Sequence, residues 1–271
     1  MSKRRPANTY KSVAYKITHG YGRGEGLSYK PFFTGHEFAS MGMFIRLTGV
    51  TVPRLYRFFS RLEADAFVIY DCMPDVTDIL EQYYNTLEET LEIADLLHVR
   101  HPFSGKYYNP VTTDLLVCKG GSWIARSIKS SRELEDKRTI EKLEIERAYF
   151  SRRKIDWKLI TEKEINRDLV QNLHWLWYEA PSAISFDKHL LPEAESYFCQ
   201  LYKENLVPFP RLLEQIESTF FPIKGAGVAL FKSLVRQGKI CVDLEKPLNM
   251  LDPRHPLERG QHTDERYRAY C

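Results

Sequence analysis

Two adjacent glycines, Gly120 and Gly121, constrain the fold of this chain most strongly, because they separate two runs of β-branched and apolar residues. A Gly-Gly pair tolerates the positive φ angles of a two-residue hairpin turn, and the flanking runs have the composition of strands. Residues 112–129 are therefore predicted to form a β-hairpin.

The register of this hairpin brings polar side chains together. Counting outward from the turn pairs Lys119 with Ser122 and, further along, Asp114 with Ser127. Directly opposed side chains lie about 5 Å apart at Cβ, and Lys129 follows Ser127 on the same face. An acid, a hydroxyl and a lysine are thus expected to converge at one end of a sheet. Metal-dependent nuclease sites are usually built in this way, although isolated Asp and Lys residues in strands are commonly ordinary surface residues.

A second acid precedes the hairpin in the chain. Ser60 is a candidate helix N-cap and Glu63 follows three residues later, which is the spacing of a capping box. Capping its own helix is therefore a sufficient role for Glu63, and a catalytic role needs further support. Another helix is predicted over about 86–98. For His98 at its end and His101 just beyond it, structural roles are favoured, since Pro102 follows at once and no third metal ligand is evident.

The elements after the hairpin complete an α/β pattern. A helix is predicted from Ser131, as N-cap, to Phe150; a strand follows over 155–161 and a further helix begins at Glu162. The apolar residues of the helix after Ser131 do not form one clean stripe. The order helix, strand, strand, helix, strand predicts an α/β layer with a mixed sheet.

From about residue 167 the pattern becomes helical. Helices are predicted over 173–178, 190–203, 209–219 and 226–236, with prolines between them, followed by a short strand over 239–244. Three helices followed by strands are the outline of a winged helix. Residues 253–271 form a polar tail.

Composition and charge limit the class of protein. No run of about 18 apolar residues exists, no apolar segment follows the basic N-terminus, and the five cysteines are scattered. These features predict a cytoplasmic protein without a membrane partner. Residues 1–30 hold seven Lys/Arg and one acid, a net charge of +6, which suits contact with phosphates, although a solvated terminus explains it equally well. The candidate DNA-binding residues are Lys3, Arg4, Arg5 and Arg23, the last in a Gly-rich segment expected to be flexible.

Several segments taken together resemble a known family. They are Tyr29–Phe32, Ser60–Phe67, Asp78–Gln82, His101–Pro102, Thr113–Val117, Arg138–Arg147, Glu162–Asn166 and Asn172–Leu176, with Gly22–Gly26 before them. In this combination the chain resembles the TnsA endonuclease subunits of TnsABC-type transposons, within the PD-(D/E)xK nuclease superfamily. The resemblance covers nearly the whole chain and fades beyond residue 180.

The resemblance implies a fold, a site and a cofactor. The fold would be a restriction-endonuclease-like, mixed-sheet α/β nuclease domain over residues 1–166, then a mainly helical, winged-helix-like domain over 167–252 and the tail 253–271. Glu63, Asp114 and Lys129 would be the catalytic residues. Glu63, Asp114 and the backbone carbonyl of Ile128 would bind Mg²⁺ or Mn²⁺, both of which prefer oxygen ligands.

One position departs from the family pattern. Where the family carries Gln or Glu two residues before the lysine, this chain has Ser127, a shorter and weaker metal ligand. Three interpretations compete: water bridges Ser127 to the metal, an acid of the following helix such as Glu141 or Glu144 reaches in, or the site is impaired. The first is favoured, because the other motif positions are retained.

The function that the resemblance implies is cleavage of DNA during transposition, in the bacterial cytoplasm and in association with the nucleoid when the protein is active. The subunit would nick the 5′ ends of a transposon, while a TnsB-like DDE transposase cuts and joins the 3′ ends and a TnsC-like AAA+ protein regulates the complex. Two alternatives stay open: a catalytically weak DNA-binding and docking subunit, and a free-standing restriction or repair nuclease.

Overall fold

The computed structural model describes residues 10–34, 44–104, 107–179, 184–204 and 207–252. Lys3, Arg4, Arg5 and the tail 253–271 lie outside these ranges. The contacts divide the chain into two units, residues 1–165 and 166–271. Within the described ranges, no helix is long and apolar enough to cross a membrane.

The first unit combines a mixed sheet with flanking helices. In chain order its elements are α1 (Tyr10–Thr18), β1 (Ile45–Thr48), β2 (Leu55–Phe58), α2 (Arg61–Asp71), β3 (Val76–Asn85), α3 (Leu87–Leu96), β4 (Phe103–Ser104), β5 (Tyr107–Tyr108), β6 (Val111–Lys119), β7 (Ser122–Ile128), α4 (Lys137–Arg152) and β8 (Asp156–Ile160).

The main sheet has the strand order β3-β6-β7-β8. The β6–β7 hairpin has the predicted turn and register, with Lys119 opposite Ser122 and Leu115 opposite Arg126. β3 is antiparallel to β6, whereas β7 and β8 run parallel. A parallel pair needs a crossover connection, and α4 provides it. The predicted mixed sheet is therefore confirmed.

Helices cover both faces of this sheet. Ala125 of β7 packs in an apolar cluster with Ile145 and Phe150 of α4. Its neighbour Arg126 instead donates to the hydroxyl of Tyr70 in α2, at 2.9 Å. Because successive side chains of a strand point to opposite faces, α2 and α4 lie on opposite sides of the sheet.

Strand β3 was not predicted from the sequence, because acidic and amide residues interrupt its apolar pattern. Two of these acids have specific partners. Glu81 is fully buried and accepts a two-pronged pair of hydrogen bonds from the guanidinium of Arg54. Asp78 accepts a hydrogen bond from the backbone N–H of Gly26, at 2.7 Å. These contacts compensate for the burial of carboxylates in the strand.

Two predicted helix starts are wrong. The helix after the hairpin begins at Lys137 with Asp136 as its N-cap, and a short 3₁₀ helix occupies Ser131–Glu135. Ser131 donates from its hydroxyl and its backbone N–H to the carboxylate of Glu162. Glu162 therefore lies in a turn, and the next helix starts at Arg167.

The second unit is built from helices α5 (Arg167–Leu173), α6 (Leu191–Glu204), α7 (Phe209–Thr219) and α8 (Ala226–Arg236). A π-helical turn, His174–Tyr178, continues α5. Phe231 of α8 packs against the rings of Phe198 and Phe209 from α6 and α7. A Cβ at Gly227 would lie 2.4 Å from the carbonyl oxygen of Leu213, so the close approach of α7 and α8 requires glycine.

The strand predicted over 239–244 does not form. Ile240, Val242 and Leu244 are buried in alternation, which explains the strand-like pattern. The segment is held by contacts with helices instead: Leu234 accepts from the N–H of Ile240, and the Asn172 side chain donates to the carbonyl of Leu244. No strand occurs among the described residues of this unit, so the winged-helix prediction is not confirmed.

Candidate active site

Asp114 and Lys129 meet at one end of the hairpin. Asp114 lies in β6, where one oxygen of its carboxylate accepts hydrogen bonds from the backbone N–H of Ile128, at 2.7 Å, and from Lys129 Nζ, at 3.0 Å. The same ammonium donates to the carbonyl oxygen of Ile128, at 2.6 Å. Two of the three predicted catalytic side chains are thus in direct contact.

The third predicted catalytic residue, Glu63, lies at the start of α2. Its carboxylate accepts from the hydroxyl of Ser60 and the backbone N–H of Phe59, while Ser60 accepts from the N–H of Glu63. Ser60 is thus the N-cap expected from the sequence, but only half of the capping box forms, because Glu63 accepts from the N–H of Phe59 and not from that of Ser60. Burial, together with the nearby negative charge of Asp114, raises the pKa of Glu63 to about 7. Glu63 is therefore held by residues at the start of its helix and also lies within electrostatic reach of Asp114.

Ser127 contacts an acid that the sequence did not single out. Its hydroxyl donates to Oε2 of Glu146 in α4 and accepts from Trp157 Nε1, at 2.9 Å. Glu141 and Glu144, the helix acids considered from the sequence, instead form ion pairs with Arg138 and Arg147. The element that reaches towards Ser127 is the expected helix, but the residue is Glu146.

The position of Glu146 also explains the broken apolar stripe of α4. Leu143, Tyr149 and Phe150 are buried on this helix, and Glu146 is buried among them with 1% of its surface exposed. An acid at a core-facing helical position costs free energy unless it is paired or hydrogen-bonded. In the sequence, Glu146 lies three residues from both Leu143 and Tyr149, a spacing that places all three on one face of the helix. This spacing could have identified Glu146 as a buried acid.

The charges of these groups influence one another. Burial raises the pKa of Glu146, and the charge of Asp114 acts in the same direction. For Lys129, burial disfavours the ammonium form, but the negative charges of Asp114 and Glu146 outweigh burial and raise its pKa. The site thus holds a permanent cation within the field of three carboxylates.

The donor atoms suit a hard divalent cation. Asp114 and the Ile128 carbonyl already share one cation, the Lys129 ammonium, so both oxygens face a common position. Among the described residues no three His, Cys, Asp or Glu side chains form a ready-made metal cluster. A cation bound here could contact the Asp114 carboxylate and the Ile128 carbonyl, and the buried carboxylates of Glu63 and Glu146, whose charges interact with Asp114, are candidates for further oxygen ligands.

Other predicted positions lie apart from these contacts. Arg23 is exposed, and its backbone forms a β-bridge with Lys30 in the Gly-rich segment. His101 is buried and contacts the hydroxyl of Thr90, which agrees with a structural role. A cleft of about 520 Å³ near His101 and Tyr108 is lined by aliphatic and aromatic residues together with Asp95 and Arg100, and it includes none of the candidate catalytic residues.

A mixed sheet that presents two acids and a lysine from one hairpin and a neighbouring helix is consistent with a restriction-endonuclease-like nuclease domain. Residues 73–162 match the family described as TnsA-like endonuclease N terminal. The chain is also 34% identical over 168 residues to the transposon Tn7 transposition protein TnsA of Escherichia coli. That alignment covers 61% of this chain and 62% of the relative. Residues 73–162 are therefore similar to the N-terminal domain of TnsA-like endonucleases, and the chain spans less than two thirds of the length of this relative.

Proposed function

We propose that the chain is a metal-dependent DNA endonuclease subunit that nicks the 5′ ends of a transposon during cut-and-paste transposition. The observation that carries this proposal is the direct contact between Asp114 and Lys129, with Glu63 within electrostatic reach. This is the acid, acid and lysine arrangement expected for phosphodiester hydrolysis. The match to the TnsA-like family over residues 73–162 supports DNA as the substrate.

Asp114, Glu63 and the carbonyl of Ile128 would hold Mg²⁺ or Mn²⁺. Glu146 is proposed as the further carboxylate, in the role that the sequence suggested for Ser127, because the Ser127 hydroxyl already has partners in Glu146 and Trp157. A divalent cation there supplies Lewis-acid stabilisation of negative charge on a phosphate.

The protein's own groups have separate tasks. Lys129 carries a positive charge that can neutralise the anion developing at the phosphate or orient the attacking water, and Asp114 holds its ammonium in place. In the absence of a cation, burial raises the pKa of Glu63 to about 7, so binding of Mg²⁺ or Mn²⁺ near neutral pH would release the proton that this carboxylate holds. Arg23 is exposed and, with Lys3, Arg4 and Arg5, would contact the DNA backbone.

The partners are proposed from the relative. The Escherichia coli protein is a transposition protein of transposon Tn7, and this chain spans 62% of its length. We infer that the present chain works in the cytoplasm with a TnsB-like DDE transposase, which cuts and joins the 3′ ends, and with a TnsC-like AAA+ regulator.

The decisive experiment is a strand-specific nicking assay on DNA carrying the transposon ends, with Mg²⁺, with and without the TnsB-like partner. The proposal expects 5′ nicks that depend on the metal, the partner and Lys129. Nicking of arbitrary DNA by the isolated chain would favour a free-standing restriction or repair nuclease. Binding to the ends without any nick would favour a docking subunit.

A further inference from the structure

Two buried hydroxyls converge on one oxygen of Glu146. Ser127 and Thr113 both donate to Oε2, the latter at 3.2 Å, and both side chains are fully buried. We propose that these two residues, the hydroxyl clamp, position the Glu146 carboxylate for cation binding, and that Ser127 acts through Glu146 and is not itself a ligand. The inference rests on the proposed function, since it requires a cation in this site.

Each hydroxyl of the clamp is oriented by a second donor. Trp157 Nε1 donates to Ser127 Oγ at 2.9 Å, and Asn85 Nδ2 donates to Thr113 Oγ1 at 3.0 Å. An indole N–H can only donate, so the hydroxyl proton of Ser127 is the one that points to Glu146. Two relays of fixed direction therefore end on the same carboxylate oxygen, and hydrogen bonds in such chains strengthen one another.

The hydroxyl clamp and its two donors together involve every strand of the main sheet. Asn85, Thr113, Ser127 and Trp157 come from β3, β6, β7 and β8, so each strand of the main sheet contributes one residue. The acceptor, Glu146, comes from the crossover helix that connects β7 to β8. A carboxylate on a helix is thereby fixed relative to the strand that carries Asp114.

The two oxygens of the Glu146 carboxylate have different partners. Oε2 accepts both clamp protons, whereas Oε1 lies 3.7 Å from Lys142 Nζ and so already faces a positive charge. A hydroxyl has one proton and two lone pairs, and Ser127 uses the proton for Glu146 and one lone pair for Trp157. Oε1 of Glu146 is therefore better suited than Ser127 Oγ to bind a cation.

A double-mutant cycle with Mn²⁺ as the probe tests this assignment. Free Mn²⁺ is counted by electron paramagnetic resonance in titrations of the full chain, so the measurement does not depend on catalysis. Loss of a residue that orients a metal ligand typically weakens metal affinity by about 10- to 100-fold, and we expect this for Ser127→Ala. Ser127→Thr, which keeps the hydroxyl, restores the affinity.

The cycle is completed in a Glu146→Gln background. If Ser127 acts through Glu146, adding Ser127→Ala there causes no further loss of Mn²⁺ affinity. An equal loss in both backgrounds would mean that Ser127 binds the cation itself or through water, and would overturn the inference. An unchanged Mn²⁺ affinity in the Ser127→Ala single variant would overturn it as well.

A more conservative substitution, at Trp157, tests the same chain of hydrogen bonds and leaves Ser127 and Glu146 in place. Trp157→Phe keeps an aromatic ring but removes the N–H donated to Ser127, so Mn²⁺ affinity falls in the same direction and by a smaller factor. Trp123→Phe in β7 and Ser131→Ala in the 3₁₀ helix are matched controls and leave the affinity unchanged. No loss with Trp157→Phe would contradict the relay.

Asp114→Asn separates this inference from the proposed function. If Asp114→Asn abolishes Mn²⁺ binding and Ser127→Ala does not weaken it, the metal site stands and the clamp is wrong. If Asp114→Asn binds Mn²⁺ like the unmodified chain, the proposed metal site fails, and the clamp fails with it.

Discussion

Lys129 Nζ lies 3.0 Å from Asp114 Oδ2 and so joins the second strand of the hairpin to the first by an ion pair. The same ammonium lies 2.6 Å from the Ile128 carbonyl oxygen. A positive charge is therefore fixed between the two oxygens that the proposed function assigns to a divalent cation.

Replacing this lysine should abolish most of the nicking activity. Removing one preorganised group that stabilises developing charge costs about a hundredfold to a thousandfold in rate, and this is the expected loss for Lys129→Ala. The measurement is the rate of 5′ nicking of transposon-end DNA in Mg²⁺ with the partner transposase present. Lys119→Ala, in the same hairpin, is the control and keeps full activity. Unimpaired nicking by Lys129→Ala would disprove the site assignment.

The stability of the metal-free protein should depend on the protonation of Glu63. The pKa of Glu63 is raised from 4.5 to about 7 in the folded chain, so the folded state binds the proton more tightly than the unfolded state. Its contribution to the free energy of unfolding is then present below about pH 4.5 and is lost as pH rises to about 7, by up to about 3 kcal/mol. Urea unfolding in EDTA across this range measures it.

In Glu63→Gln the side chain is uncharged at every pH, so the free energy of unfolding should change less between pH 4.5 and 7. Some slope will remain, because burial also raises the pKa of Glu146. Glu162→Gln is the control: hydrogen bonds from Ser131 lower the pKa of Glu162, so the slope between pH 4.5 and 7 should persist there. An unchanged slope in Glu63→Gln would show that another group is responsible.

The ion pair between Arg54 and Glu81 should be among the most sensitive points of the fold. Arg54→Ala leaves the fully buried Glu81 carboxylate without its partner, and breaking a buried pair in this way costs about 3–5 kcal/mol. Denaturant unfolding gives the value. The exposed pair of Arg61 with Asp65 is a matched control, and Arg61→Ala should cost about 0.5 kcal/mol or less. Equal losses would contradict this account.

The hairpin turn should discriminate between residue types at Gly120. Its φ angle is +55°, and nothing lies within 4 Å of a Cβ placed there, so only the backbone conformation opposes a side chain. Gly120→Val should destabilise the protein by about 1–2 kcal/mol, whereas Gly120→Asn, which tolerates this conformation, should cost much less. Thermal unfolding of both variants compares them. Equal destabilisation would point to a cause other than φ.

The parts of the fold that depend on local signals could be predicted from the sequence. The register of the β6–β7 hairpin follows from Gly120-Gly121, and helices α6, α7 and α8 follow from periodicity and the prolines between them. Strand β3 could not be predicted, because Glu81 is acceptable in its core only beside Arg54, which lies 27 residues away in the chain.

In the candidate site, too, contacts within the hairpin could be predicted from the sequence and contacts with more distant elements could not. Asp114 and Lys129 are joined by the hairpin itself, so counting residues was enough to bring them together. Glu146 lies 19 residues beyond Ser127, and its contact depends on how α4 crosses the sheet. In the segment 239–244, by contrast, a local pattern predicted too much. Its alternating burial resembles that of a strand, but a strand also needs a neighbouring strand with which to pair.

The position of Glu146 on the crossover helix affects how such sites can be recognised in sequences. Strand β7 and helix α4 border the same space, so a carboxylate can be replaced on one and supplied by the other without any change of topology. A motif search that requires Gln or Glu two residues before the lysine would classify such a chain as degenerate. If Glu146 has the proposed role, a search for such sites has to compare the three-dimensional positions of carboxylates and not their spacing along the chain.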